Sequence, residues 1–412
     1  MTSALEIMAP AGNFECLHAA IDAGADSVYF GIGRLNMRSR SANNFTTEDL
    51  PEVVRICREA GVKTYMTLNI VLYGEDLQDA YEALDTAKAS GVDAIIASDM
   101  AAIIYCRSIG MEVHISTQLS ISNYEALKFY AQYADVVVLA RELNLVQVKE
   151  IHRQIVENDL RGPSGELVRI EMFAHGAFCM AISGKCYMSL DNYGSSANRG
   201  ACMQVCRRGY EVTDLETGVK LDIENKYIMS PKDLCTIEFM DKFIDAGVTV
   251  FKIEGRARSA EYVRRVVMCY REAADAVMAG TYTPELTARL KEALSEVFNR
   301  GFWDGYYLGS RLGEWSSVYG SSATRKKVYC GKVTNWFDKI SVAEIAVEAA
   351  PLHKGDDVVV IGSVTGCVEF TVEDLRLDYN PADEVGKGLR CSVAVPGARL
   401  RRGDKMYLWI KN

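Results

Sequence analysis

The sequence predicts an eight-stranded α/β barrel followed by a small β-barrel, and three observations predict it. Short apolar runs and amphipathic helical stretches alternate through eight strands before residue 282, the helices mostly closing on Ala-Gly or Ser-Gly. Those runs are continuously apolar, the pattern of strands buried on both faces. From about Arg325 the pattern changes to six short strands with Gly-rich turns. Parallel strands that alternate with helices close naturally as a TIM-like (β/α)8 barrel. An open doubly wound sheet is the runner-up, but no Gly-rich dinucleotide turn follows the first strand.

Residues 5–9 (LEIMA) make the first strand, closed by Pro10 and Gly12, and FECLHAAIDAG makes the helix that stops at Gly24. Ser27 to Phe30 (SVYF) is the second strand. TTEDLPEVVRICREAG leads into KTYMTLNI, EDLQDAYEALDTAKASG into DAIIASD, and MAAIIYCRSIG into EVHISTQLSI. NYEALKFYAQY leads into ADVVVLAREL, and NLVQVKEIHRQIV into the seventh strand, RIEMFAHG. A helix through PKDLCTIEFMDKFIDAG precedes the eighth, VTVFKIEGR, and a long helix near Glu261 to Met278 follows. Between strands seven and eight lies a cysteine-rich insertion, residues 176–230. It ends in a hairpin, YEVTDLETGVKLDIENKYIM, turning at Glu216-Thr217-Gly218. The barrel therefore takes residues 1–282. A helical connector, 283–323, starts with Thr283 as cap and Pro284 at the first helical position and runs to Gly301. The small β-barrel takes 324–412.

The 412 residues are 49% hydrophobic and 25% charged, enough for a sizeable core. No apolar run reaches the roughly 18–20 residues of a membrane span. The opening MTSALEIMAPAG lacks the basic start and apolar stretch of a secretory signal, so a cytoplasmic chain is expected. Twelve cysteines in a reducing compartment serve as ligands or core residues rather than disulfides. Cys16, Cys57, Cys106 and Cys269 sit in helical patterns and read as packing. A net charge of −9 excludes a general nucleic-acid coat but not a local basic face. Residues 324–412 carry fourteen Lys and Arg against twelve Asp and Glu, +2, which leaves −11 elsewhere. Arg325-Lys326-Lys327 and Arg399 to Lys405 are two basic clusters, either a phosphate-facing edge or solvated surface.

The chemistry concentrates in Ile170 to Arg208, which holds Cys179, Cys186, Cys202 and Cys206 in the spacing C-x6-C-x15-C-x3-C. This Gly-, Ser- and Asn-rich stretch buries little apolar surface of its own and needs something to fix it. Thiolates around a metal or cluster supply that. Structural zinc favours two close pairs and only the last pair here fits, whereas iron–sulfur sites tolerate irregular spacing. In a barrel of this kind the reacting groups lie at the C-terminal strand ends. Those ends carry Asn69, then His114, Ser116 and Gln118, Arg141 and Glu142, Glu171 and His175, and Lys252, Glu254 and Arg256. Arg141, Lys252, Arg256 and His114 around one mouth point to an anionic substrate. Glu171 and Glu254 read equally as structural counter-charges.

The run EMFAHGAFCMAISGKCYMS is similar to the signature of the collagenase-like peptidase family of unclassified mechanism. APAGNFE, STQLSISN, LAREL, NRGACMQVCR, SPKDL and KIEGRARS resemble further blocks in the same order, over nearly the whole barrel. The chain looks most like the prephenate-dependent tRNA hydroxylase branch, which forms 5-hydroxyuridine at the wobble position; relatives hydroxylate a ribosomal RNA cytidine or ubiquinone precursors. The resemblance implies oxygen-independent hydroxylation, prephenate as co-substrate and tRNA as substrate. It also implies an iron–sulfur cluster of the 4Fe-4S type on Cys179, Cys186, Cys202 and Cys206, with Cys235 in SPKDLC as the rival fourth ligand. Two other classes compete. A peptidase needs an activated nucleophile or metal-bound water. The sequence has neither H-E-x-x-H nor G-x-S-x-G, and Cys179 with His175 lacks an orienting third group. A non-catalytic cluster-bearing subunit acting with a partner protein is the third class. On the preferred reading the mouth holds a dicarboxylate oxygen donor beside a flipped-out uridine, with the C-terminal barrel gripping tRNA.

Overall fold

A computed structural model describes residues 5–40, 43–221 and 227–412. Eight strands form in the expected places. They are β1 (Glu6–Pro10), β2 (Ser27–Gly31), β3 (Lys63–Leu68), β4 (Ala94–Ala97), β5 (Glu112–Ile115), β6 (Val136–Val138), β7 (Arg169–Gly176) and β8 (Val248–Ile253). They run parallel in chain order, and β8 pairs with both β1 and β7, so the sheet closes on itself. Successive side chains point to opposite faces. Met8, Tyr29, Tyr65, Ile96, Val136 and Val250 therefore fill the barrel interior, while Ile7, Phe30 and Phe251 face the helices.

Helices α1 (Phe14–Asp22), α2 (Leu50–Glu59), α3 (Leu77–Ser90), α4 (Met100–Ser108), α5 (Tyr124–Ala131) and α6 (Leu145–Glu157) follow the first six strands. Their starts are set by side-chain caps, since the first-turn N–H groups need acceptors. Asn13, Asp99, Asn123 and Asn144 accept from the backbones of Cys16, Ala101, Ala126 and Gln147. In α6, Leu145, Val148, Ile151 and Ile155 share one stripe and are buried.

Two expectations need correction around the insertion. The helix expected through PKDLCTIEFMDKFIDAG is only the six residues of α8 (Met240–Asp245), and Asp233–Cys235 is instead a strand. Strand β7 is the longest barrel strand, and its last residues outrun β6. Its unpaired edge is covered antiparallel by Leu234 against Gly176 and Cys235 against His175. The connector helix α10 (Pro284–Ser295) stops before Gly301, and Phe302–Trp303 extends the same edge by pairing with Asp233–Leu234. The insertion contains one short helix, α7 (Met188–Tyr193), and the hairpin Val212–Thr213 with Lys220–Leu221; residues 222–226 of that hairpin lie outside the described residues. The long helix is α9 (Ala260–Ala279).

The C-terminal module is an antiparallel sheet containing β9 (Arg325–Phe337), β10 (Val342–Val347), β11 (Asp357–Gly362), β12 (Gly366–Thr371), β13 (Arg390–Ala394) and β14 (Lys405–Lys411). Its order is β12-β11-β14-β9-β10-β13, continued by Leu375–Leu377 and Asn380–Pro381, around a core of its own that includes Ile345, Val358, Val393 and Met406. It seats on the barrel through α1 and α9. Cys367 and Trp409 join the barrel core, Gly366 lies against the α1 backbone, and Lys327 pairs with Glu261 at 2.9 Å. Arg325 pairs with Asp357 at 2.9 Å and Arg399 with Asp338 at 3.0 Å. Three of the seven basic side chains in the two expected clusters are thus held in ion pairs within the chain. No helix among the described residues is long and apolar enough to cross a membrane.

Candidate active site

The C-terminal strand ends and the cysteine segment enclose one cavity of about 180 Å³. Cys179, Cys186, Cys202 and Cys206 all line it, together with Asn69, Ser116, Gln118, Arg141, Lys252, Glu254 and Arg256. Those are the predicted site residues that the fold brings together. The segment is held over the mouth by contacts to the loops after β2 and β3. Gly200 takes φ +82°, and a Cβ there would stand 2.2 Å from the Asn36 carbonyl oxygen, so only glycine allows this approach. Arg199 stacks 3.9 Å over Tyr73 and pairs with Asp76 at 2.6 Å, and Asp76 also pairs with Arg34 at 2.6 Å. Arg207 reaches beneath the segment to the carbonyls of Phe178 and Pro231.

The Arg199 hydrogen bond, with Arg34 in support, holds the Asp76 carboxyl well below the usual carboxylate range. Stabilisation from a depressed carboxyl is present above its unfolded pKa of about 3.9 and is lost as pH falls through the native value. Asp76→Ala leaves Arg199 without its carboxylate at neutral pH, while Arg34 keeps Asp79, and is expected to cost about 1–3 kcal/mol. Limited proteolysis between residues 180 and 210 checks this: cleavage rises in Asp76→Ala at pH 7, and in the native chain only in strong acid.

Charge in the cavity is one-sided. Arg38, Arg141, Arg207, Lys252, Arg256, Arg258 and Arg300 line it against a single lining carboxylate, Glu254. Burial alone would raise the Glu254 carboxyl, but Arg38, at 2.7 Å, and Arg141 outweigh it and bring it down to about 2. Lys252 pairs with Glu171 at 2.6 Å and Arg300 with Asp233 at 3.2 Å. Arg141 has no ion pair among the described residues. Its Nη1 donates to the Ala177 carbonyl at 3.0 Å, its Nε has no partner, and its guanidinium lies 3.6 Å over the Phe173 ring. Arg256 donates to Asn36 Oδ1 at 3.0 Å and Thr67 Oγ1 at 2.9 Å, and burial draws it down to about 10. Room for it comes from Gly31, where a Cβ would stand 2.5 Å from its Nη1.

Five candidate residues lie elsewhere. Glu142 is exposed and outside the cavity lining. His114 and Glu171 point into the barrel one layer below the cavity: His114 is fully buried against Tyr65, and neither lines the opening. His175 is turned into the wall between Tyr262, Tyr270 and Phe302, where burial pushes it down to about 3. Cys235 lies behind the same wall as a sulfur acceptor for the Tyr270 hydroxyl at 3.9 Å, and does not line the cavity. Sequence reasoning did not single out Arg38, Arg207 or Arg300. The Arg-containing run NMRSRS just after β2 was the one available signal for Arg38.

Four thiols on one wall form a soft donor set, suited to iron–sulfur or zinc rather than to hard oxygen-seeking ions. Burial pushes the Cys206 thiol up to about 11; Arg207 opposes this, and the nearby Cys179, Cys202 and Cys186 add to it. Among the described residues no three His, Cys, Asp or Glu side chains form a cage for a single ion. The thiols share a cavity without being drawn together.

Comparison with known proteins gives the family. The model for Peptidase family U32 matches residues 12–317. The chain is 58% identical to a collagenase of Porphyromonas gingivalis over 98% of both chains. It is 34% identical to a tRNA hydroxylation protein of Bacillus subtilis, over 91% of this chain and 87% of that one. It is also 35% identical to the 23S rRNA 5-hydroxycytidine synthase of Escherichia coli, over 75% of this chain and 46% of that one. A barrel whose seventh strand opens into a four-cysteine segment, matched across three quarters of its length, makes this chain a member of Peptidase family U32.

Proposed function

We propose that the chain is an RNA hydroxylase. The finer reading is that it forms 5-hydroxyuridine at the tRNA wobble position, with prephenate as oxygen donor and an iron–sulfur cluster of the 4Fe-4S type on Cys179, Cys186, Cys202 and Cys206. One observation carries it: four thiols and seven cationic side chains line one cavity at the mouth of the barrel. The names of the Bacillus and Escherichia relatives support RNA as the substrate class. When bound, a thiolate-held cluster supplies redox or Lewis-acid chemistry at this mouth. The chain's own residues do the rest. Arg141, Lys252 and Arg256 bind and orient a dicarboxylate through charge-assisted hydrogen bonds. Glu254, held ionised by Arg38, fixes the inner edge of that cation group. Asn69, Ser116 and Gln118 offer amide and hydroxyl groups for the edge of an extruded base.

The rim of the segment fits unpaired nucleotides. Tyr187 is 75% exposed, Tyr193 is 47% exposed, and the Arg208 guanidinium lies 5.1 Å from the Tyr193 ring. Exposed rings beside arginine are stacking platforms for bases, each worth about 1–3 kcal/mol. These rings support RNA contact on the cysteine segment, in addition to the C-terminal module expected from its basic clusters. Tyr187→Ala with Tyr193→Ala is expected to weaken RNA binding at least about 30-fold, read by filter binding, with bound iron unchanged.

The collagenase name of the Porphyromonas relative favours a second reading, a peptidase. The site argues against it. None of the five histidines lines the cavity, and His175, the one sequence candidate to pair with Cys179, is packed in an apolar wall. Gelatin cleavage that persists in the Cys179→Ala, Cys202→Ala double variant would support a hydrolase that needs no cluster. The hydroxylase reading is tested by mass spectrometry of tRNA and ribosomal RNA nucleosides from a deletion strain. Loss of a 5-hydroxypyrimidine, restored by the native gene, is expected; an unchanged nucleoside profile in a strain without a second relative overturns it.

A further inference from the structure

A line of buried ionisable groups runs down the barrel interior from the cavity to the opposite end. Lys252, on the cavity wall, donates from Nζ to Glu171 Oε1 at 2.6 Å. The other oxygen, Glu171 Oε2, is buried without a hydrogen-bond partner among the described residues, and so is His114 Nδ1; the two face each other at 3.8 Å. On the far side of the ring, His114 Nε2 lies 3.2 Å from Glu112 Oε1. Glu112 is the first residue of β5, at the end away from the mouth, and its side chain is 44% exposed to water. The other ionisable groups packed about this path are Glu6, Tyr65, Arg169 and Lys63.

Barrel interiors are ordinarily filled by branched apolar side chains. An ion pair buried there is generally no more stabilising than apolar packing, and each partnerless buried polar atom costs about 1–3 kcal/mol. Two such atoms facing each other, inside a chain that reaches water at one end and the cavity at the other, call for an explanation beyond stability. We propose that Glu112, His114 and Glu171 form a proton relay joining water beneath the barrel to Lys252. Through it Lys252 exchanges protons with bulk solvent while a bound substrate closes the mouth.

Each passage is a transfer of one proton and no electrons. The Lys252 ammonium gives a proton to the anionic group it faces and becomes an amine. Glu171 replaces that proton, having taken one from His114 Nδ1 while His114 Nε2 takes one that the Glu112 carboxylate has accepted from water. The imidazole ends in its other tautomer and is reset when the passage reverses on ligand release. Lys252 touches the ligand; Glu112, His114 and Glu171 are positioning residues for its proton. The relay rests on the proposed function only in assuming that the mouth is where substrate binds.

The test uses the full chain without substrate, with ¹⁵N-labelled histidine followed by NMR from pH 5 to 9. The imidazole signals missing from His114→Asn report which ring nitrogen carries the proton, and that tautomer balance is expected to shift in Glu112→Gln and in Glu171→Gln. Glu112→Gln lies at the surface, so it carries the test even where the buried variant does not fold. A His114 signal that ignores both substitutions overturns the relay. With RNA substrate, Glu112→Gln is expected to slow turnover about 10-fold with KM unchanged and to alter the pH–rate profile; a profile identical to the native one counts equally against it. A responsive His114 in a protein that hydroxylates no RNA would overturn the proposed function and leave the relay standing.

Discussion

Cys202→Ser is expected to leave a folded barrel that has lost its cluster, with RNA hydroxylation reduced by at least about 100-fold. The four thiols of the segment are all partly exposed, whereas the remaining eight cysteines are buried in the packed body of the protein. Removing Cys202 thus takes away a proposed ligand without opening a cavity in the core. Thermal unfolding of the air-exposed proteins should agree within about 4 °C, because no large buried group is lost. Cys235→Ser separates the two candidate fourth ligands. Cys235 accepts from Tyr270 behind the wall of β7, so this variant is expected to keep its iron while Cys206→Ser does not. Iron content and product formation, measured side by side, check both.

Arg141→Met is expected to lower kcat/KM for the dicarboxylate about 100-fold, the usual cost of removing one donor aimed at charge in a water-poor site. Arg141 is the informative cation because no carboxylate is paired with it. Methionine keeps the contact with Phe173 and leaves Glu254 paired with Arg38, so the lost hydrogen bond to Ala177 is expected to cost only about 1 kcal/mol. Lys252→Met behaves differently. It leaves the fully buried Glu171 carboxylate without its ammonium partner at 2.6 Å, and is expected to destabilise the barrel by about 3 kcal/mol as well as to lose activity. Titration calorimetry with the dicarboxylate and thermal melts of both variants separate binding from folding.

Much of this architecture is legible in the chain because a strand buried on both faces must be apolar at every position, as IIA in β4 and VVV in β6 are. Asp233–Cys235 was not legible. It is three residues long, lies in an amphipathic stretch, and exists because β7 outruns its neighbour and needs an edge partner. The site was readable to the level of strand ends, not of layers. Along β5 the residues Glu112, His114 and Ser116 all point inward, but only Ser116 reaches the cavity; His114 sits one layer lower. Side-chain parity predicts a face and says nothing of depth. Arg207 and Arg300 escaped notice because they come from the insertion and the connector, where no period marks which side chain turns inward.

The account depends on iron at the four thiols. The most direct measurement is iron and acid-labile sulfide per chain in protein purified without air, with its visible spectrum. About four of each, with a broad charge-transfer band that disappears in Cys202→Ser, is the predicted result. Colourless protein that carries only zinc, or no metal at all, would contradict it.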